Sequence, residues 1–290
     1  MIYFKIYDRS IVSMIKLNVK LLLPLLWISL SFSSLHAELI RIMPLGDSIT
    51  YDDRLADHEG TPRPSSIRSG YRSHLHYKLT DVEYPVDFVG SRVAGEKVVP
   101  AFDPHNEGHP GWTSYEIGSK VYTYLSQNPA DIVLLHIGTN DNDTSVAGVN
   151  GILDQIDLYE EHTGRFVRVI VALIIDRQAQ DDLIIAGFNH NLDNLLQKRI
   201  SRGDAITVVN MYRGAGLTSA DYADHTHPSD AGYQKMAQVW FDALMAPYNI
   251  ALHSFPTTLV SRVHIRSITV DEDANNVTFI ADVPDSGITF

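Results

Sequence analysis

The chain has 290 residues, 44% of them hydrophobic and 20% charged, which suits one large domain with room for a small appendage. Its formal net charge is −12, and the first 37 residues hold four basic side chains against one acid, so the remainder carries −15. So acidic a body is a poor binder of phosphate backbones, which argues against nucleic acid as a partner. Cysteine is absent, which removes disulfides, thiol catalysis and cysteine metal sites together without fixing the compartment.

In chain order, Lys16 and Lys20 precede the apolar run "LLLPLLWISLSF" (21–32), followed by "SSLHA" up to Ala37. A basic stretch, a short apolar run and a small residue describe a secretory signal over 1–37. A membrane anchor would need about 20 apolar residues. Met14 is an alternative start that gives a more compact signal, and Leu35 is a poor residue for the −3 position of the cleavage site. The expected product is secreted or periplasmic, with no membrane attachment after cleavage.

Beyond Glu38, strands are predicted at "LIRIMPL" (39–45), "VDFVGS" (86–91), "DIVLLHIG" (131–138), "VRVIVALII" (167–175) and "AITVVNMY" (205–212). Three are nearly continuous in Val, Ile and Leu, as in strands buried on both faces. Apolar residues at helical spacing predict helices over 70–81, 114–127, 146–162, 183–200 and 229–245. In 183–200, Ile184, Phe188, Leu192, Leu195 and Leu196 are expected to share a face, with Asn189 and Asn191 as surface polar residues. The alternation implies an α/β fold: a three-layer α/β/α sandwich around a five-stranded parallel sheet, with sites beyond the carboxyl ends of the strands. This domain is placed at 38–249. Residues 250–290 differ: "SRVHIRSITV" and "NNVTFIADV" alternate like antiparallel strands around "DEDANN", a short β segment that could be the start of a β-sandwich.

Four stretches fall at predicted strand ends: "GDSIT" (46–50), "EGHPGW" (107–112) in a loop before the second helix, "GTND" (138–141) and "DHTHPSDAGY" (224–233). As chemistry, Ser48 is a nucleophile that needs a base. His227 is the candidate base, and Asp224 three residues earlier can hold its tautomer. Pro228 biases His227 toward an extended backbone. The backbone N–H groups of Ser48 and Gly111 and the Asn140 amide are candidate oxyanion donors. Each stretch alone also has a plainer reading. Gly-Asp-Ser makes turns and N-caps, Gly-Thr-Asn-Asp makes Asx turns, and His225, Asp221 and Asp230 crowd the base loop and leave its pairing open. Trp112 can stack on a sugar face or pack in the core. Asp47 can touch substrate or hydrogen-bond its own loop. "DNDTS" (141–145) hints at calcium, but Val146 and Ile152 stand where an EF-hand loop needs glycine and glutamate. No metal site is assigned. Without a Gly-x-Gly-x-x-Gly or P-loop pattern, no nucleotide cofactor is expected.

The set resembles the SGNH hydrolases, the superfamily of GDS-type esterases and lipases, with Ser48, Gly111, Asn140 and Asp224/His227 matching their blocks. "RIMPLGDSIT", "VDFVGS", "EGHPGW", "DIVLLHIGTND" and "HPSDAGYQKMAQVWFDAL" are similar to carbohydrate esterase family three, the acetyl xylan esterase-like branch, over about residues 39–246. The resemblance implies a flavodoxin-like fold and cofactor-free hydrolysis of acetyl esters on a polysaccharide or oligosaccharide. It also leaves room for a lipid, thioester or aryl esterase, or for a non-catalytic carbohydrate-binding protein on the same fold. One departure is the insertion "YDDRLADHEGTPRPSSIRS" (51–69), long and charged enough to form a lip over the site.

Overall fold

The computed structural model describes residues 39–178 and 181–246, together with the backbone of two strands near the C-terminus. The expected signal segment, 1–37, lies outside the described residues. Strands β1 (Ile40–Gly46), β2 (Val86–Phe88), β3 (Arg92–Val93), β4 (His105–Gly108), β5 (Ile132–His136), β6 (Arg168–Ala172) and β7 (Ile206–Val209) build one sheet. From β1 the order runs β5, β6, β7, all parallel. On its other side β1 pairs with two strands placed end to end: β2 along Ile40–Ile42 and β4 along Leu45 and Gly46. The sheet thus has the five expected strand positions, the second filled by two short pieces. β3 is an antiparallel addition beside β4.

This splitting corrects two expectations. "VDFVGS" stops pairing after Phe88, and the residues before Gly108 form a strand where a loop was expected. At the junction, a Cβ on Gly90 would lie 2.2 Å from the Asn106 carbonyl oxygen, so only glycine lets the two pieces meet. The β4 sequence, His-Asn-Glu-Gly, is polar, and its last three residues are still buried. Glu107 is satisfied by the Ser91 backbone N–H, the Ser91 hydroxyl and the His109 ring.

The helices are α1 (Ser48–Tyr51), α2 (Gly70–Asp81), α3 (Ser114–Gly118), α4 (Val121–Gln127), α5 (Ala147–Thr163), α6 (Leu183–Ile200), α7 (Met211–Gly214) and α8 (Asp230–Met245). The helix predicted over 114–127 is two, α3 and α4. Ile117, Val121 and Leu125 keep one apolar stripe across the break, so periodicity alone does not reveal it. Three 3₁₀ turns, Leu55–His58, Ser65–Ile67 and Ser219–Asp221, lie in loops.

Alternate residues of the central strands feed two cores. Met43, Val133, Leu135, Val169 and Val171 pack under α3–α6. Ile42, Ile132, Leu134, Ile170 and Ala172 pack under α2 and α8, whose Tyr71 and Trp240 rings meet at 5.9 Å. In α6 the buried face is Ile185, Phe188, Leu192 and Leu196, whereas Ile184 is exposed. Asn189 is not a surface residue. It is buried and bonds both the N–H and the C=O of Ile174 at 2.8 Å, tying α6 to the chain just beyond β6. Apart from this sheet, β8 (His264–Asp271) and β9 (Asn276–Asp282) form the antiparallel pair expected from their alternation.

Candidate active site

Four strand-end loops supply the site. After β1, Asp47 caps α1 by accepting the Ile49 N–H at 2.9 Å, which sets Ser48 at the first helical position. After β4, His109 donates its N–H to the Gly46 carbonyl, docking this loop beside α1. After β5, Asp141 accepts the N–H and hydroxyl of Ser114, so the Asn140 turn is pinned to the start of α3. After β7, the chain runs through α7 and a bridge between Tyr222 and Pro228 that holds the 223–227 loop closed.

These loops bring Ser48, Gly111, Asn140 and His227 around one pocket of about 300 Å³. His227 Nε2 lies 2.9 Å from Ser48 Oγ, and His227 Nδ1 lies 2.9 and 3.0 Å from the two oxygens of Asp224. A carboxylate can only accept, so Nδ1 carries the proton and Nε2 is left to accept from the serine hydroxyl. Ser48 and His227 are both buried. Burial alone would raise the Asp224 pKa. Backbone N–H groups of Thr226, Leu55 and His227, together with the His227 ring, outweigh it and hold the carboxyl below its usual range. Asp224 is therefore a fixed anion. The crowding of the loop is also resolved: Asp221 pairs with Lys235, Asp230 with His74, and His225 is exposed.

Gly111 has φ +79° and a Cβ there would meet nothing, so its backbone borders open space in a conformation that favours glycine. Neither its N–H nor that of Ser48 has a partner among the described residues. Asn140 Nδ2 gives one hydrogen to the Trp112 carbonyl at 2.9 Å, which orients the amide and leaves its second N–H. The three candidate donors thus share the pocket with the serine–histidine pair.

For two candidates with two readings, Asp47 and Trp112, the structure matches the non-substrate one. Asp47 is fully buried beneath the serine turn and cannot touch substrate. Burial raises its pKa to about 7, against the hydrogen bond it accepts from the Ile49 N–H. The Trp112 ring does not line the pocket. It stacks on His109 at 4.3 Å and packs against the core under α3–α6, which makes it a support for the Asn140 amide through its own carbonyl. Sequence reasoning missed Asp53, Leu55, His58, Pro110 and Thr226 as pocket residues. The length and charge of the 51–69 insertion were the available signal for the first three.

The family model "GDSL-like Lipase/Acylhydrolase" matches residues 42–240. Among solved structures, the chain is similar to a Clostridium thermocellum family 3 carbohydrate esterase, with TM-score 0.59 and 27% identity over 71% of this chain and 94% of that one. It is also similar to a carbohydrate esterase family 3 protein from Talaromyces cellulolyticus, with TM-score 0.58 and 25% identity over 71% and 97%. Among curated proteins it is 28% identical over 240 residues to a multidomain esterase of Ruminococcus flavefaciens, covering 71% of this chain and 28% of that protein. The chain therefore spans little more than a quarter of that relative's length.

Proposed function

The chain belongs to the GDSL-like lipase/acylhydrolase family, and from that premise we propose that it is an exported carboxylic ester hydrolase removing acetyl or similar short acyl groups from carbohydrate. The observation that carries the chemistry is the 2.9 Å contact between Ser48 Oγ and His227 Nε2 over a pocket that also holds Gly111 and Asn140. The carbohydrate substrate is supported by likeness to the two family 3 carbohydrate esterases. Export is supported by the signal-like sequence of residues 1–37.

In this reading Ser48 Oγ attacks the ester carbonyl carbon as its proton passes to His227 Nε2. The new imidazolium is held by the Asp224 carboxylate. Negative charge on the former carbonyl oxygen is met by the N–H groups of Ser48, Gly111 and Asn140. The intermediate collapses, the C–O bond breaks, and the leaving sugar oxygen takes the proton from His227. Water, deprotonated by His227, then attacks the acyl-serine and releases the acid and the Ser48 hydroxyl.

The test is a fluorophosphonate probe on the wild type and on Ser48→Ala, beside release of acetate from acetylated xylan and hydrolysis of long-chain esters. Labelling at Ser48 with acetate release is expected. Labelling with turnover of long-chain esters alone would shift the reading to a lipase. Glycan binding without turnover of any ester would shift it to a binding protein. N-terminal sequencing of the secreted protein checks export.

A further inference from the structure

The insertion between α1 and α2 builds one wall of the pocket, and its side chains are held by ion pairs. Asp52 ends α1 in a left-handed conformation, φ 66°, and turns the chain outward. Arg63 then spans Asp52 and Asp57, donating to Asp57 at 3.0 and 2.6 Å and to Asp52 at 3.1 Å. Arg68 pairs with Asp53, and Arg54 with Asp52 at 3.0 Å. The three acids are thereby compensated, so the wall is rigid and not a free anionic cluster.

On this frame stands a second carboxylate–histidine pair. Asp53 Oδ2 lies 2.7 Å from His58 Nε2, and both residues line the pocket with Ser48 and His227. The Asp53 side chain is buried, at 6% exposure, whereas that of His58 is 66% exposed. Since the carboxylate can only accept, Nε2 donates and the outward Nδ1 of neutral His58 is an acceptor. Leu55, also on the pocket wall, is exposed and offers an apolar surface beside it. Its backbone N–H bonds Asp224 Oδ2 at 2.9 Å, so the wall is tied directly to the catalytic acid.

We infer that His58, oriented by Asp53 and flanked by Leu55, is a leaving-group subsite that accepts a hydrogen bond from a hydroxyl of the acylated sugar while Leu55 meets the ring's C–H face. This rests on the carbohydrate-ester reading above. A sugar leaving group carries hydroxyls next to the reacting oxygen, whereas an aryl leaving group carries none. The subsite therefore separates the two substrates, because an acceptor prearranged by Asp53 and the arginines loses little freedom on binding.

The experiment compares wild type, His58→Phe and His58→Gln on two substrates, acetylated xylo-oligosaccharides and 4-nitrophenyl acetate. His58 is exposed, so both variants are expected to fold, and 4-nitrophenyl acetate turnover verifies an intact site. For H58F, kcat/KM on the oligosaccharide should fall about tenfold, as expected for one lost hydrogen bond, mainly through KM. Turnover of 4-nitrophenyl acetate should stay within about twofold, with no such bond to lose. H58Q, which keeps an acceptor, should recover part of the loss. A wild type active on both substrates, with an unchanged ratio in H58F, would overturn the subsite alone. A wild type that cleaves only 4-nitrophenyl acetate would overturn the carbohydrate reading and the subsite with it.

Discussion

At the residue scale the site divides into groups that react and groups that hold them. In the proposed mechanism Ser48 and His227 act as a unit, so Ser48→Ala and His227→Ala should each lower kcat by several orders of magnitude, with little further loss in the double variant. In the same proposed mechanism Asn140 contributes one oxyanion donor. Asn140→Ala should cost about 10²–10³ in kcat with a smaller change in KM, and burst kinetics on 4-nitrophenyl acetate would separate acylation from deacylation. Asp47 belongs to the second group. Burial raises its pKa from 3.8 to about 7, so between those values the folded protein keeps a proton that the unfolded chain has lost. Its contribution to stability is greatest below about pH 3.8 and declines as pH rises to about 7. Asp47→Asn keeps the acceptor for the Ile49 N–H and cannot titrate. Its stability relative to wild type should therefore grow over that interval and level off above it. Chemical denaturation at pH 4 to 8 measures the difference, and a constant difference would show that another group is responsible.

At the element scale the insertion is where local sequence says least and tertiary contact most. Ser48 and Asn140 could be found because each closely follows an apolar strand, β1 or β5, and strand ends in a parallel sheet converge. Gly111 follows the polar β4 and His227 lies beyond α7, so these two were legible only through their own stretches, "EGHPGW" and "DHTHPSDAGY". The hydrogen bond from Leu55 to Asp224 joins residues 169 apart with no periodic pattern on either side. Nothing in "DDRLADHEGTPRP" says which acid Arg63 will grip. Similarly, β4 was hidden because its buried side chains are the polar Asn106 and Glu107, on opposite faces of the strand, whose burial depends on partners brought by folding. The insertion's own stability is testable. Burial would raise the Asp57 pKa, but hydrogen bonds from the Arg63 guanidinium and the Arg54 backbone hold it down to about 2. That support is present above about pH 3.9, the ordinary aspartate value. It is lost as pH falls toward about 2. Arg63→Ala should destabilise by about 1–3 kcal/mol at neutral pH, less than for a fully buried pair because Arg63 is partly exposed. The loss should shrink in acid. Unfolding midpoints at pH 3 and pH 7 would decide, and an equal loss at both would argue for packing instead of charge.

At the scale of the whole molecule, the two cores are coupled through single strands. In β5, Ile132 and Leu134 face one core while Val133 and Leu135 face the other, and β1 and β6 divide in the same way. Neither face can loosen without exposing the back of strands that the opposite face needs. Trp240 and Phe188 are large, fully buried residues on opposite faces, Trp240 against Tyr71 and Phe188 in α6. Truncating either to alanine removes transfer energy and leaves a cavity, at a cost of about 3–5 kcal/mol. For a domain of this size that corresponds to a fall of about 6–20 °C in Tm. Because the strands are shared, both variants should unfold in one cooperative step, with far-UV and near-UV circular dichroism transitions that coincide. If Phe188→Ala instead unfolded in two steps, with Trp240 fluorescence surviving the first, the two faces would be separate cooperative units. The strand-end loops of the site would then be divided between them, since Ile49 of the serine turn packs in one core and Trp112, beside Gly111, packs against the other.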